Sequence, residues 1–345
     1  MKVLVTGAAG LLGGAVVDAL VQRGVGVIAM VHREPIIRAN SGRVLSVSEF
    51  DGSVPERGEI RTLEGDVTQP NLGLRHPVLK RLQEAVTCVI HCAALVRFEA
   101  DFRELKAVNV DGTCQVAQCF PKARIVHVST AYACGLQDGA ITETVHSSDG
   151  PFSNGYERSK AVAEIALRDR RPDAIIARPS IIVGEQSTGQ IRSFDAIYQA
   201  FKMIAEGRIA ALPVASSATL NFVPIDHVVE GVIALATRPD QATTIVHLTA
   251  REAIGAVQFL NLIGKIQGLH RPKTASVQAH DPSKRRLEAI LQPYFSYFTR
   301  SPQFRTEALE LATDLSSPVM DETALLQQIQ YCVDMGFIRT SAAAE

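Results

Sequence analysis

The sequence predicts an α/β fold: a doubly wound parallel sheet with a smaller, mainly helical C-terminal lobe. Three observations carry this. Short β-branched apolar runs alternate with helix-periodic stretches from Val3 to Arg178. A glycine cluster at Gly7, Gly10, Gly13 and Gly14 directly follows the first run. Past Gly184 the alternation loosens, and from Ala253 helical periodicity dominates. In order, Val3–Thr6 is a β-branched strand, and Leu12, Val16, Ala19 and Leu20 recur at helical spacing over Leu11–Gly24. Val25–Val31 has the unbroken apolar character of a buried parallel strand. After a segment loosened by Pro35, Gly42, Gly52, Pro55 and Gly58 come strand Arg61–Leu63, helix Leu79–Ala85 and strand Cys88–His91. A long helix over Phe102–Phe120 is stopped by Pro121; strand Arg124–Ser129, helix Asn154–Arg170 and strand Ala174–Arg178 follow. Strands alternating with helices imply right-handed βαβ units and a sheet covered on both faces. Further on, Phe194–Ala205 and His227–Ala236 read as helices, Asn221–Ile225 as extended, and Thr244–Leu248 as a strand that can return to the sheet. Ala256–Ile266, Lys284–Leu291, Thr306–Ala312 and Glu322–Met335 complete the helical end. The expected division is residues 1–184 as the sheet domain, rejoined by 223–250, and 185–222 with 251–345 as the smaller lobe.

The 345 residues hold 35 Lys+Arg against 36 Asp+Glu, a net charge of −1, with 46% hydrophobic residues. That balance lacks the basic excess of a nucleic-acid footprint. The basic clusters at 168–171 and 284–286 read as solvated helix ends. No uncharged apolar run reaches the roughly 18 residues of a membrane span. Met1, Lys2 and the apolar stretch to Leu20 could pass for a signal peptide, but the glycines fit a phosphate turn and Asp18 interrupts the run. The expectation is a cytoplasmic protein starting on its first strand. The six cysteines show neither C-x-x-C nor zinc spacing, so they read as small buried hydrophobes and no metal is expected.

Thr6-Gly7-Ala8-Ala9-Gly10-Leu11-Leu12-Gly13 sits between a strand and a helix. The first glycine permits the tight turn, Gly10 lets backbone approach a pyrophosphate, and Gly13 allows close packing. Gly7, Ala9, Gly10, Leu11, Leu12 and Gly13 are therefore candidate dinucleotide contacts, with helix-terminal N–H groups facing the phosphate. About 20 residues on, an NAD site would carry an acid at the end of the second strand. Here stand His32 and Arg33, and the Arg33 fork suits a 2′-phosphate, which favours NADP over NAD. Asp66 and Val67 after the third strand, and Ala93 and Ala94 after the fourth, border the same crevice. The Asp66 carboxylate can accept from an adenine amino group, and the alanines leave room for ribose.

Tyr156 and Lys160 open a helix at a four-residue spacing that puts them on one face. A free phenol has a pKa of about 10, and a nearby ammonium lowers it. Hydroxyls of Ser129 or Thr130, at the end of the fifth strand, can hydrogen-bond a substrate carbonyl oxygen. The set supplies a proton donor and oxyanion stabilisation beside a nicotinamide.

These motifs together resemble the extended short-chain dehydrogenase/reductases, a Rossmann-fold family. The carriers are TGAAGLLG at 6–13, GDV at 65–67, HCAA at 91–94, NVDGT at 109–113, VSTAY at 128–132, YERSK at 156–160, RPSIIVG at 178–184 and NFVPIDHVVE at 221–230. The resemblance covers residues 1–250. It implies Thr130, Tyr156 and Lys160 as the catalytic triad, with Ser129 ranked second to Thr130. It implies Asn109 as support for the active-site helix, and Pro179 and Ser180 beside the nicotinamide. More narrowly, GDVTQPNLGL at 65–74, VIHCAALVRFE at 89–99 and HVSTAY at 127–132 resemble the fatty acyl-CoA reductase and thioester reductase branch, the male-sterility type. The stretch with Phe304, Leu311, Pro318 and Leu325–Phe337 is similar to the helical end of those reductases.

The chain carries no adenylation or carrier domain, so this resemblance implies an acyl group that arrives already activated. It implies NADPH-dependent reduction of a CoA or carrier-protein thioester to aldehyde or alcohol, by an enzyme that is often a homodimer. Three alternatives stand beside it: redox of a ketone or alcohol on a hydrophobic or steroid-like molecule, nucleotide-sugar epimerisation, and a noncatalytic NADP-sensing scaffold. The intact Thr/Tyr/Lys set speaks against the last.

Overall fold

The computed structural model describes residues 1–195, 197–209, 211–238, 244–275 and 294–340. Its centre is a parallel eight-stranded sheet. Strands β1 (Lys2–Thr6), β2 (Gly26–Val31), β3 (Ser48–Glu49), β4 (Ile60–Glu64), β5 (Cys88–His91) and β6 (Arg124–Val128) are joined by Ile175–Pro179 and Ile245–Leu248. From one edge the order is Ile245–Leu248, Ile175–Pro179, β6, β5, β1, β2, β4, β3. β1 pairs with β2 on one side and β5 on the other. The strand order therefore reverses at β1, and a crevice opens at the carboxyl ends of β1 and β5, where doubly wound sheets bind ligands.

β1 and β2 are almost wholly buried because helices cover both faces. On one face, helix α1 (Leu11–Gln22) and the Ile225–Thr237 helix seal Val3, Val5, Val27 and Val246. On the other, helix α2 (His76–Ala85) and the Gly112–Cys119 helix cover Leu4, Ile28 and Val89. Each such fully buried aliphatic side chain contributes about 1.5–3 kcal/mol relative to exposure. A third apolar cluster, with Phe201, Phe222, Phe259 and Leu325, forms the core of the smaller lobe.

The structure departs from the sequence reading in four places. The two-residue edge strand Ser48–Glu49 is exposed, so no apolar alternation marks it. The helix expected over Phe102–Phe120 contains a π turn, Lys106–Asp111, flanked by α-helical Phe102–Leu105 and Gly112–Cys119. The lobe is helical but tied by two-residue to three-residue ribbons, such as Ile181–Val183 with Phe222–Pro224 and Gly139–Ile141 with Pro302–Phe304. Finally, Arg171 is not a solvated helix end. Its guanidinium donates to Phe120 O and Ala123 O, each at 2.8 Å, and pairs with Asp173, so it clamps the β6 connection. The Lys284–Leu291 helix and the 284–286 basic cluster lie outside the described residues. No helix among the described residues is long and apolar enough to cross a membrane.

Candidate active site

The carboxyl ends of β1, β5, β6 and Ile175–Pro179 open into a cleft of about 340 Å³. One end is the glycine turn. Gly7 has φ +67, and a Cβ there would sit 2.7 Å from Ala93 backbone atoms. A Cβ on Gly13 would stand 2.1 Å from Gly7 O, so the third glycine serves closure of the turn. Gly10 caps α1 without any side-chain hydrogen bond. The first N–H groups of α1 are thus left for an anion. Gly7, Gly10, Leu11, Leu12 and Gly13 wall the cleft. This bare cradle fits a dinucleotide pyrophosphate.

Of the other candidate cofactor contacts, Ala94, Pro179 and Ser180 wall the cleft, and Ala9, Arg33, Asp66, Val67 and Ala93 stand outside its wall. Ala93 N donates to Thr6 Oγ1 at 3.3 Å, anchoring β5 to β1. Asp66 Oδ1 accepts from Thr68 N (2.9 Å) and Thr68 Oγ1 (2.7 Å), which closes the turn after β4. Val67 packs against Gly112. Arg33 is exposed just past β2. Ser180 Oγ donates to Asn221 Oδ1 at 2.7 Å, holding the strand end against the lobe.

The other end of the cleft brings together Ser129, Thr130, Tyr156 and Lys160. The Gly155–Arg170 helix that carries Tyr156 and Lys160 is capped by Asn154, whose side chain accepts from Glu157 N at 2.9 Å. Lys160 is 1% exposed and donates to Val128 O at 2.7 Å. Its Nζ also lies 3.3 Å from His127 Nε2. Burial holds His127 well below the ordinary histidine range, with Lys160 adding to the effect, so the imidazole is neutral and Nε2 accepts. Burial lowers Lys160 to about 8, opposed by Glu164.

The expected lowering of the Tyr156 phenol is not found. Burial raises it above 10, and Glu157 adds to the rise. The Lys160 ammonium is engaged with Val128 and His127 instead. Tyr156 is therefore held protonated at neutral pH, the form that donates a proton.

Ser129 and Thr130 differ in where their hydroxyls are used. Ser129 Oγ donates to Glu164, which also receives Arg178 Nε at 2.9 Å in a fully buried ion pair. The Thr130 side chain instead accepts from Tyr132 N at 3.3 Å, which leaves its hydrogen to donate into the cleft. Asn109 is fully buried and outside the cleft wall. Its Oδ1 accepts from Leu95 N at 2.7 Å and its Nδ2 donates to Ser159 Oγ at 2.8 Å. It fixes the Tyr156 helix to the loop after β5, and so acts by position.

The sequence reading missed the aromatic wall. Phe98 stacks on Tyr156 with ring centroids 5.6 Å apart, and Tyr297 arrives from the C-terminal lobe. Tyr297 OH donates to Glu157 Oε1 at 2.7 Å, and Arg300 pairs with the same oxygen at 2.8 Å. Only the FE of VRFE gave a signal, as an aromatic after a strand. Cys92 also walls the cleft, but burial pushes its thiol up to about 12, far from a thiolate nucleophile. Among the described residues no three or more His, Cys, Asp or Glu side chains gather as a metal-holding group.

The reversed parallel sheet, the bare glycine cradle and the cleft that gathers Thr130, Tyr156 and Lys160 make an NAD(P)-binding fold of the extended short-chain dehydrogenase/reductase type. The sequence model described as male sterility protein matches residues 5–232, and the chain belongs to that family. It is 27% identical over 278 residues to fatty acyl-CoA reductase 1 of Gallus gallus, covering 68% of this chain and 54% of that protein. It is 27% identical over 287 residues to L-2-aminoadipate reductase of Schizosaccharomyces pombe, covering 76% and 20%. The chain thus spans about half or less of the length of these curated relatives. Among solved structures, the terminal R domain from the myxalamid PKS-NRPS biosynthetic pathway superposes with a TM-score of 0.76 at 22% identity, covering 98% of this chain and 92% of that one. That likeness shows a shared fold.

Proposed function

We propose that the protein is an NADPH-dependent reductase of an activated acyl group, a CoA or carrier-protein thioester, giving aldehyde or alcohol. The observation that carries this reading is the cleft: a dinucleotide cradle and the Thr130/Tyr156 hydroxyls share one cavity whose wall also holds apolar Ile181 and Ile197, and Phe98, which stacks on Tyr156. Such a wall suits a hydrocarbon acyl group better than a charged sugar nucleotide. The reading is supported by relatives named for fatty acyl-CoA and aminoadipate reduction. Residues 1–184 with 223–250 make the nucleotide domain in this scheme, and 185–222 with 251–345 the substrate lobe.

The backbone of Gly7, Ala9, Gly10, Leu11, Leu12 and Gly13 would hold the pyrophosphate, with Asp66, Val67, Ala93 and Ala94 along the adenosine half and Pro179 and Ser180 beside the nicotinamide. When bound, the nicotinamide supplies hydride to the carbonyl carbon. The Thr130 hydroxyl stabilises the negative charge that develops on the carbonyl oxygen, and the protonated Tyr156 phenol then donates to that oxygen. Lys160, held on Val128 O and His127 in this structure, would supply the countercharge to the resulting phenolate by turning toward it from one helical turn away. The thiohemiacetal so formed breaks its C–S bond as its hydroxyl proton returns to the Tyr156 phenolate, and the departing thiolate takes a proton from solvent; this collapse needs neither a metal nor a cysteine nucleophile. The test is single-turnover NADPH oxidation with acyl-CoA and acyl-carrier substrates, following thiol and aldehyde together. Matched release of both is expected; neither product from a broad thioester panel, with rapid turnover of simple ketones, would replace this reading by ketone/alcohol redox.

Thr130→Ala should lower turnover about 100-fold, the scale of losing one oxyanion donor. Ser129→Ala should leave turnover within a few-fold and cost about 1.5–3 kcal/mol of stability, the scale of its hydrogen bond to the charged Glu164. Steady-state kinetics beside urea unfolding separate the two, and the reverse ranking would make Ser129 the donor.

NADPH preference rests on Arg33. A charge-assisted contact to the 2′-phosphate gives a preference of order ten- to hundredfold. Arg33→Asp should weaken NADPH and improve NADH in fluorescence titrations. Equal affinity of the native protein for both cofactors removes this argument.

A further inference from the structure

The segment after β2 runs back across the start of α1. A Cβ on Gly14 would stand 2.2 Å from Arg38 O, so backbone meets backbone there. Asn40 then ties this segment to the loop at 185–192. Its Nδ2 donates to Glu185 Oε1 (3.0 Å) and Gln190 O (2.9 Å), and its Oδ1 accepts from Arg192 N (3.3 Å). The result is a strap from the substrate lobe laid over the glycine turn.

Each of the two tied segments carries an arginine. Arg192 Nη2 reaches Ala9 O in the glycine turn at 3.3 Å, and its Nε is buried with no hydrogen-bond partner. Arg38 Nη1 has a long contact of 3.4 Å to Gly42 O. The two guanidiniums act on each other: Arg192 is held below the usual arginine range first by burial and then by Arg38, with Asp195 opposing. The nearby carboxylates are engaged elsewhere. Glu185 receives Asn40 and Thr188 Oγ1, and the exposed Asp195 receives Ser193 Oγ at 2.6 Å. Two like charges that repel, one with a buried unmet donor, are an arrangement that a bound anion would relieve.

We infer that Arg38 and Arg192 form a clamp on a phosphate of the dinucleotide, closing from the substrate lobe over the glycine turn. The place selects the ligand. Ala9 belongs to the turn itself, and Ile191 and Ser193 wall the same cleft as Gly10 and Gly13, while Arg192 between them stands behind that wall against the turn. A guanidinium fork makes two parallel charge-assisted bonds to phosphate oxygens. The clamp also joins two parts of the chain, so cofactor binding would brace the 185–192 loop beside the substrate cleft. The inference rests on NAD(P) binding.

The experiment is direct titration of the full chain with NADPH and with NADH, by calorimetry and by nicotinamide fluorescence, which the absence of tryptophan leaves clean. Arg192→Met and Arg38→Met should each raise the Kd for NADPH about 10- to 100-fold, the loss of a charge-assisted contact. The salt dependence of binding should become shallower. Arg192→Lys, which keeps the charge without the fork, should fall between. An equal loss for NADH and NADPH assigns the clamp to the pyrophosphate, and a loss for NADPH alone assigns it to the 2′-phosphate. Folded Arg192→Met and Arg38→Met proteins that bind both cofactors within twofold of native overturn the clamp. So does a loss of CoA binding with cofactor binding unchanged. Native protein that binds neither cofactor overturns the cofactor reading itself, a separate failure.

Discussion

Tyr156→Phe is expected to lower turnover by two orders of magnitude or more, with little change in stability. The substitution removes one oxygen and keeps the ring that stacks on Phe98 at 5.6 Å. What is lost is the proton donor. Burial raises the phenol, so Tyr156 holds its proton at neutral pH, and general acid catalysis by a positioned group contributes about 10²–10⁴-fold. After donation the phenolate needs a cation, and Lys160 is one helical turn away. Lys160 is lowered to about 8 by burial, so its charge is present below that pH and lost above it. The native pH–rate profile should fall as pH rises through about 8, and Lys160→Arg should abolish that limb while lowering the plateau. A Tyr156→Phe protein with native turnover in single-turnover assays would mean that another group carries the proton.

The glycine turn and the Tyr156/Lys160 pair are legible in the sequence because each depends on local spacing. The turn needs Gly7 at positive φ and Gly13 against Gly7 O, contacts within a few residues. The pair needs one helical turn. What escapes the sequence is set by distant contacts. The π turn at Lys106–Asp111 surrounds Asn109, whose side chain is spent on Leu95 and Ser159, 14 and 50 residues away. The hydroxyl pair at 129 and 130 becomes unequal when Glu164, on the next helix, takes the Ser129 hydrogen. The direction of the Tyr156 shift escapes the sequence because spacing places Lys160 near the phenol but does not reveal that Val128 O and His127 take the ammonium. Tyr297 and Arg300 reach Glu157 from 140 and 143 residues away, with no periodicity to announce them.

That last contact is where the second large effect is expected. Arg300→Met should lower the unfolding free energy by about 3–5 kcal/mol, the cost of leaving one member of a buried ion pair alone. Glu157 is 0% exposed and Arg300 is 4% exposed. Arg300 Nη2 meets Glu157 Oε1 at 2.8 Å, and its Nη1 donates to Gly135 O at 2.7 Å. The guanidinium also lies over the rings of Tyr132 and Tyr297, 4.6 and 4.8 Å from their centroids. Methionine can fill much of that volume, so the loss measures charge more than packing. Glu157→Gln combined with Arg300→Met removes both charges and should recover a large part of the stability, because neither partner is then buried unpaired. The pair sits beside Tyr156 and ties the lobe to the first turn of its helix. Arg300→Met should therefore also lower turnover several-fold, and the double variant should regain stability faster than turnover. Urea unfolding of the two single variants and the double variant gives the coupling. A loss under about 1 kcal/mol in Arg300→Met would mean that water reaches Glu157 and that the lobe is held by its apolar core alone.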